Sequence, residues 1–282
     1  MAAIRDYIGL IVPEYMPMGI TGVLMGAIAA TNTLPNDVLW LGIACFLCII
    51  AGYNSYNAII DKEIDIINKP SRPLPRKALT EKDALYVAAI FYIIAIMIAL
   101  FLDKFFLLVA LATIILTIAY SHPKIHLKRR FIIGTLTAVV LYTVLAPALG
   151  WALYSNNPVP VPIILFLFFL GIPKGILKDY VDIAGDSYHR VHSLPVQMGY
   201  LNSIVAVVLF YLVSAIFLGF AVYENILPFK FIFLLAFYPF MLWNVKTMPK
   251  TFDLHSRCDA VFIRAILLLI LIELAIIGLI LI

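Results

Sequence analysis

Six of the sixteen acidic residues fall in two short groups, Asp61, Glu63 and Asp65 in the first and Asp179, Asp182 and Asp186 in the second. Each group has two aspartates four residues apart, which puts them on one face of a helix. The ladder runs backwards through Asn57 in the first group and through Lys178 and Lys174 in the second. Like charges at this spacing repel, and carboxylates at a helix C-terminus oppose its dipole. Doing this twice requires compensation, and a divalent cation supplies it. Mg2+ takes oxygen ligands and commonly joins one or two carboxylates to substrate phosphates. Two acidic faces converging on one pocket could hold two or more Mg2+ ions around a diphosphate, with Asp61, Asp65, Asp182 and Asp186 as ligands. Solvated helix-end charges are the plainer alternative. They account for one such group more readily than for two at matching places.

Both groups close long apolar runs. Of the 282 residues, 64% are hydrophobic and only 13% are charged, against about 25% charged in a soluble domain. This composition excludes a soluble enzyme, a disordered chain and a nucleic-acid-binding module. Apolar runs at 8–30, 38–60, 84–102, 105–120, 131–153, 160–177, 201–222, 228–245 and 260–282 predict nine transmembrane helices. Runs this long are helices rather than barrel strands. The expectation is one all-α domain over 1–282, a polytopic bundle around a central cavity. Pro13, Pro17, Pro147, Pro173 and Pro239 predict kinks. The first run reads as a span rather than a removed signal peptide.

Charge sets the orientation. Of 20 lysines and arginines, all but Lys104 and Lys230 fall on the side that carries Arg5, the acidic groups, Lys124, Lys128 and Lys250. The positive-inside rule makes that side cytoplasmic, with the amino terminus inside and the carboxyl terminus outside a multi-pass cell-membrane protein. Of the three cysteines, Cys45 and Cys48, spaced CxxC inside an apolar run, read as small core residues, and Cys258 says little. Glu273, mid-span, reads as a neutral or hydrogen-bonded structural carboxyl rather than a functional one. His122, His126, His189, His192 and His255 lack compact metal spacing and read as solvated loop residues.

The two acidic motifs resemble those of the UbiA superfamily of intramembrane prenyltransferases. The family pattern N-D-x-x-D-x-x-x-D followed by N-x-P-x-R-P is matched by Asn57 to Asp65 and then Asn68 to Pro73, with Ala58 in place of the first aspartate. The pattern K-D-x-x-D-x-x-x-D is matched by Lys178 to Asp186, and Tyr120-Ser121 with Leu127-Lys128-Arg129 is similar to a third feature. The R-P-x-N of the family's first helix is replaced by Val12-Pro13-Glu14-Tyr15. The resemblance implies nine helices and Mg2+-dependent transfer of an isoprenoid chain from an allylic prenyl diphosphate to an acceptor, through an allylic carbocation.

It assigns metal binding to Asn57, Asp61, Asp65, Asp182 and Asp186, with Asn54 as a further candidate for the first cluster. Lys124, Lys128, Arg72 and Lys178 face the leaving group, and Lys124 and Lys128 compete for one role. Tyr53, Tyr120 and Tyr142 are candidates to face the cation. Asp179 is a ligand, a partner of Lys178 or a base, and Glu14 and the diphosphate are the other possible bases. The chain is most similar to the archaeal lipid-forming members, whose acceptor is geranylgeranylglyceryl phosphate. An aromatic acceptor such as 4-hydroxybenzoate is the alternative, and a secondary transporter the non-enzyme alternative. Membrane lipid is the surroundings, and no protein or nucleic-acid partner is implied.

Overall fold

A computed structural model describes residues 3–35, 37–249 and 255–282. Lys250 and the side chain of His255 lie outside the described residues. The described chain is helical, without strands. Among the described residues, eight helices are long and apolar enough to cross a membrane, and nine if a bent pair is counted as one span. This is a multi-pass membrane protein.

The bent pair is the first span. Helix α1 (Ile4–Ile11) and helix α2 (Met16–Thr31) meet at 41° across Pro13. Pro13 has no amide hydrogen to continue α1, and Val12 turns to φ +51°. The turn frees the carbonyl of Ile11, which accepts a hydrogen bond from Asn54 Nδ2 at 2.8 Å. The second span is α3 (Leu39–Ile60), followed by the short α4 (Lys62–Asn68). The third and fourth are α5 (Glu81–Leu100) and α6 (Lys104–Ser121). The fifth is built from α7 (Phe131–Val140), a π-helical turn over Leu141–Leu145 and α8 (Ala146–Ala152). Pro147 sits in the first turn of α8, so the irregularity predicted there takes the form of a π turn just before it.

The sixth span, α9 (Val161–Val181), continues through Pro173 and is followed by the short α10 (Ile183–Tyr188). The seventh is α11 (Leu194–Tyr223), interrupted at Gly199, where φ is +72°. The interruption falls just ahead of the apolar run at 201–222, in a turn that the hydropathy pattern leaves outside the span. The eighth joins a 3-10 stretch (Phe229–Phe237) to α12 (Tyr238–Lys246), with Pro239 in the first turn of α12. The ninth is α13 (His255–Leu281).

Small residues decide which faces pack. Ala84, Ala88, Ala95 and Ala99 are the buried residues of α5, a seam that lets it lie close against α3. Its larger residues, such as Ile90 and Ile93, face outward with Leu209 and Ile216 of α11. Such outward apolar faces suit contact with lipid. α2 and α8 touch backbone to backbone: a Cβ on Gly26 would lie 1.9 Å from the Pro147 carbonyl oxygen, and one on Gly150 equally close to that of Val23. Gly26→Ala is therefore expected to cost about 1–3 kcal/mol or more through overpacking. Thermal unfolding in detergent should show a lowered midpoint, and an unchanged one would refute this packing argument.

Candidate active site

Asp61 and Asp182 occupy equivalent places. Each ends a long span and begins a short helix, with φ, ψ of −88°, 2° and −91°, 0°. This bridge conformation breaks the axis, so α4 and α10 leave their spans and pack against each other. Asn68 holds the contact. Its Nδ2 donates to the Asp182 carbonyl at 2.8 Å, and its Oδ1 accepts from the Gly185 amide at 2.7 Å. Gly185 permits this approach, because a Cβ there would lie 2.7 Å from Asn68 Nδ2. The two acidic groups, more than a hundred residues apart in sequence, thus form one cluster.

Basic side chains knit the cluster together. Lys128 pairs with Asp61, Arg72 Nη1 with Asp65 at 2.8 Å, and Lys178 with Asp182 at 2.8 Å. Lys69, which precedes Pro70, crosses from the first motif to pair with Asp182. Much of the compensation that the sequence demanded is therefore supplied by lysine and arginine. Asn57 donates to Asp61 Oδ2 at 2.7 Å while accepting from Ser121 Oγ at 2.9 Å. It is a brace for Asp61 whose carbonyl oxygen is already engaged.

The electrostatics separate the aspartates. Burial alone would raise the Asp61 carboxyl, but the charge and hydrogen bond of Lys128, with Lys69 and Asn57, hold it below the ordinary value. Burial also pushes Asp182 up, and Lys178, Lys69 and Lys128 overcome it, leaving this carboxyl well below the ordinary value. Asp186 has no ion pair among the described residues. Burial, opposed by Lys128 and assisted by Asp182, pushes it up to about 7. Burial would lower Lys128, but Asp61 and Asp186 outweigh it and hold the ammonium above its usual value.

Beneath the cluster lies a cavity of about 740 Å³, including its open mouth. Asp61, Asp182, Lys69, Arg72, Lys128 and Lys178 line the mouth, while Tyr53, Tyr120, Tyr142, Met18 and Lys174 lie deeper. The rings of Tyr53 and Tyr120 meet edge to face at 5.7 Å. Asn54 lines the cavity too, although its amide is spent on the broken end of α1. Asp65 and Asp186 are buried in the cluster and do not line this cavity. Asp179 accepts from Thr135 Oγ1 at 2.6 Å, away from the lining. Lys124 and Glu14 are exposed and stand apart from it. Glu273 is buried and accepts a hydrogen bond from Thr21.

Sequence reasoning did not single out Asn68, Lys69, Tyr15 or Met18 for the site. Asn68 and Lys69 sit inside the quoted first motif, which was the available signal. Nothing in the pattern names their partners across the bundle.

The donor set suits a hard cation. Asp61 Oδ1 and Asp186 Oδ1 are buried carboxylate oxygens without a hydrogen-bond partner, a costly state that an oxygen-seeking ion relieves. Among the described residues, no three acidic, histidine or cysteine side chains converge as a ready-made cage. Such an ion would complete its shell from phosphate oxygens.

An intramembrane helical bundle with two clasped aspartate motifs at the mouth of a tyrosine-lined cavity defines a class. The sequence profile of the UbiA prenyltransferase family matches residues 18–271, and the chain belongs to that family. It is a prenyl-transferring enzyme, which sets the transporter alternative aside. Among curated proteins it is similar to the digeranylgeranylglyceryl phosphate synthases of several archaea. That of Methanosphaera stadtmanae is 28% identical over 222 residues, covering 79% of each chain. That of Pyrococcus horikoshii is 29% identical over 238 residues, covering 83% of this chain and 81% of its own. A solved digeranylgeranylglyceryl phosphate synthase superposes with a TM-score of 0.70 at 22% identity, covering 100% of this chain and 99% of the other. A UbiA homologue from Archaeoglobus fulgidus bound to GPP and Mg2+ gives 0.75 at 17% identity, covering 97% and 99%.

Proposed function

We propose that this protein transfers a geranylgeranyl group from geranylgeranyl diphosphate to geranylgeranylglyceryl phosphate, forming an ether bond of archaeal membrane lipid. The observation that carries the reading is the clasped cluster, with two buried, unpartnered carboxylate oxygens among four cationic side chains at the mouth of an intramembrane cavity. The names of the curated relatives, matched over most of their lengths, support the acceptor.

Lys69, Arg72, Lys128 and Lys178 receive the diphosphate oxygens as charge builds on them. Asp61, Asp65, Asp182 and Asp186 would hold Mg2+, with the free oxygens of Asp61 and Asp186 foremost, and the ion would supply charge neutralisation at the leaving group. The allylic C–O bond breaks with its electron pair on diphosphate. The cation left behind meets the faces of Tyr53 and Tyr120, inside lipid that excludes water. The acceptor hydroxyl forms the new C–O bond and releases its proton. Asp179 and Glu14 stand off the cavity lining, and the released diphosphate, left beside the reacting carbon, takes the proton. The excess of basic residues on the cluster side supports a cytoplasmic mouth and amino terminus.

The test is an assay of the purified protein in detergent with Mg2+ and geranylgeranyl diphosphate. Acceptors are geranylgeranylglyceryl phosphate and 4-hydroxybenzoate, offered separately. The expected product is digeranylgeranylglyceryl phosphate. Turnover of 4-hydroxybenzoate alone would replace the lipid reading with the aromatic one.

A further inference from the structure

Lys174 stands apart from the other cations of the cavity. It lies on α9 eight residues before Asp182, about 12 Å deeper along the helix, and is only 5% exposed. Lys69, Arg72, Lys128 and Lys178 each pair with an aspartate, whereas Lys174 forms no ion pair among the described residues. Its nearest acceptor is Met18 Sδ at 3.9 Å, a weak thioether acceptor. Its ammonium sits 4.8 Å from the centroid of the Tyr142 ring. The Tyr142 hydroxyl is itself buried with no partner. Glu273 of α13 accepts from Thr21 through Oε2, lies beyond ion-pairing distance of Lys174 and acts on its charge only from a distance. The inner end of the cavity therefore presents an ammonium and a phenol, both open to a ligand.

The chemistry of that ligand follows. A buried unpaired charge is costly, and an anion relieves the cost. The donor cannot serve, because its diphosphate is met at the mouth and its tail is apolar. An allylic cation drawn to this depth would be repelled. The remaining candidate is an anionic group on the second substrate.

We propose that Lys174, assisted by the Tyr142 hydroxyl, is the anion subsite for the acceptor. It holds the phosphate of a glyceryl phosphate, or the carboxylate of an aromatic acid, at the inner end of the cavity. The acceptor's hydroxyl is thereby directed towards the mouth, where the allylic carbon is released. This assignment rests on the prenyl-transfer reading and is shared by both acceptor classes.

The test is binding, independent of turnover. Wild type, Lys174→Met, Lys174→Arg and Tyr142→Phe are titrated with geranylgeranylglyceryl phosphate and with 4-hydroxybenzoate. Mg2+ and the unreactive geranylgeranyl thiolodiphosphate are present throughout. Whichever anionic acceptor binds should bind Lys174→Met about 10- to 100-fold more weakly, as expected for losing a charge-assisted hydrogen bond. Lys174→Arg should recover most of the affinity, and Tyr142→Phe should lose only a few-fold. The neutral analogue geranylgeranylglycerol should bind wild type and Lys174→Met alike. Thiolodiphosphate affinity should be unchanged in every variant, which also reports a folded mouth. Equal acceptor affinity in wild type and Lys174→Met, no binding of either anion to wild type, or weakening confined to the thiolodiphosphate would each overturn the assignment. Failure of transfer in the turnover assay, with anion binding intact, would instead overturn the proposed reaction.

Discussion

Asp61→Asn and Asp182→Asn should each lower kcat/KM by roughly 10²–10³-fold or more, the scale of losing one preorganised group that stabilises transition-state charge. Asparagine preserves shape but removes the charge that a hard cation requires. It also leaves Lys128, or Lys178, without a carboxylate partner, while Lys69 keeps Asp65 at 3.9 Å. The fold should survive, because Asn68 is bonded to the main-chain carbonyl of residue 182 and not to its side chain. Asp65→Asn and Asp186→Asn should behave similarly, and EDTA should abolish turnover by the wild type. Steady-state rates at saturating Mg2+, with thermal unfolding as the control, give the comparison. Full activity in EDTA would remove the metal from the reaction.

Lys128→Ala should cost about 10²-fold in kcat/KM, whereas Lys124→Ala should stay within about twofold, as is usual for an exposed substitution. The sequence offers both lysines in one loop, and the structure separates them. Lys128 lines the mouth and pairs with Asp61, while Lys124 points to solvent. Varying each substrate separately locates the lost interaction. A rise in the KM for geranylgeranyl diphosphate alone places Lys128 on the leaving group. A rise for the acceptor alone would give it a different job from the one proposed, and no change in either would leave it a topology signal only.

The parts of this molecule that could be read from residue order are those governed by local periodicity. Asp61 with Asp65 and Asp182 with Asp186 were legible because a helix brings every fourth residue to one face. The spans were legible because lipid demands a long uninterrupted apolar helix. Pro13 announced the break in the first span, although the role of Asn54 in satisfying Ile11 across it was hidden. Gly199 interrupts α11 just ahead of the apolar run at 201–222, so the span was legible while the helical turn preceding it was not. The Asn68 clasp joins residues more than a hundred positions apart, and no spacing rule reaches that far. Lys174 could be placed on the ladder with Lys178, but its lack of a carboxylate depends on which helices pack around it.

The clasp also divides the enzyme into two independently adjustable parts. Because the side-chain amide of Asn68 pins α4 to main-chain atoms of Asp182 and Gly185, the separation of the aspartate pairs is fixed by the scaffold before any ligand arrives. The cavity floor around Lys174, Tyr142 and Met18 is carried by other helical turns and shares no hydrogen bond with that clasp. Remodelling the floor should therefore redirect the enzyme to a new nucleophile while its ionisation machinery stays in register. Deleting a residue between Asp65 and Asn68 would do the reverse, rotating the amide by about 100° away from Asp182 and uncoupling the halves at once.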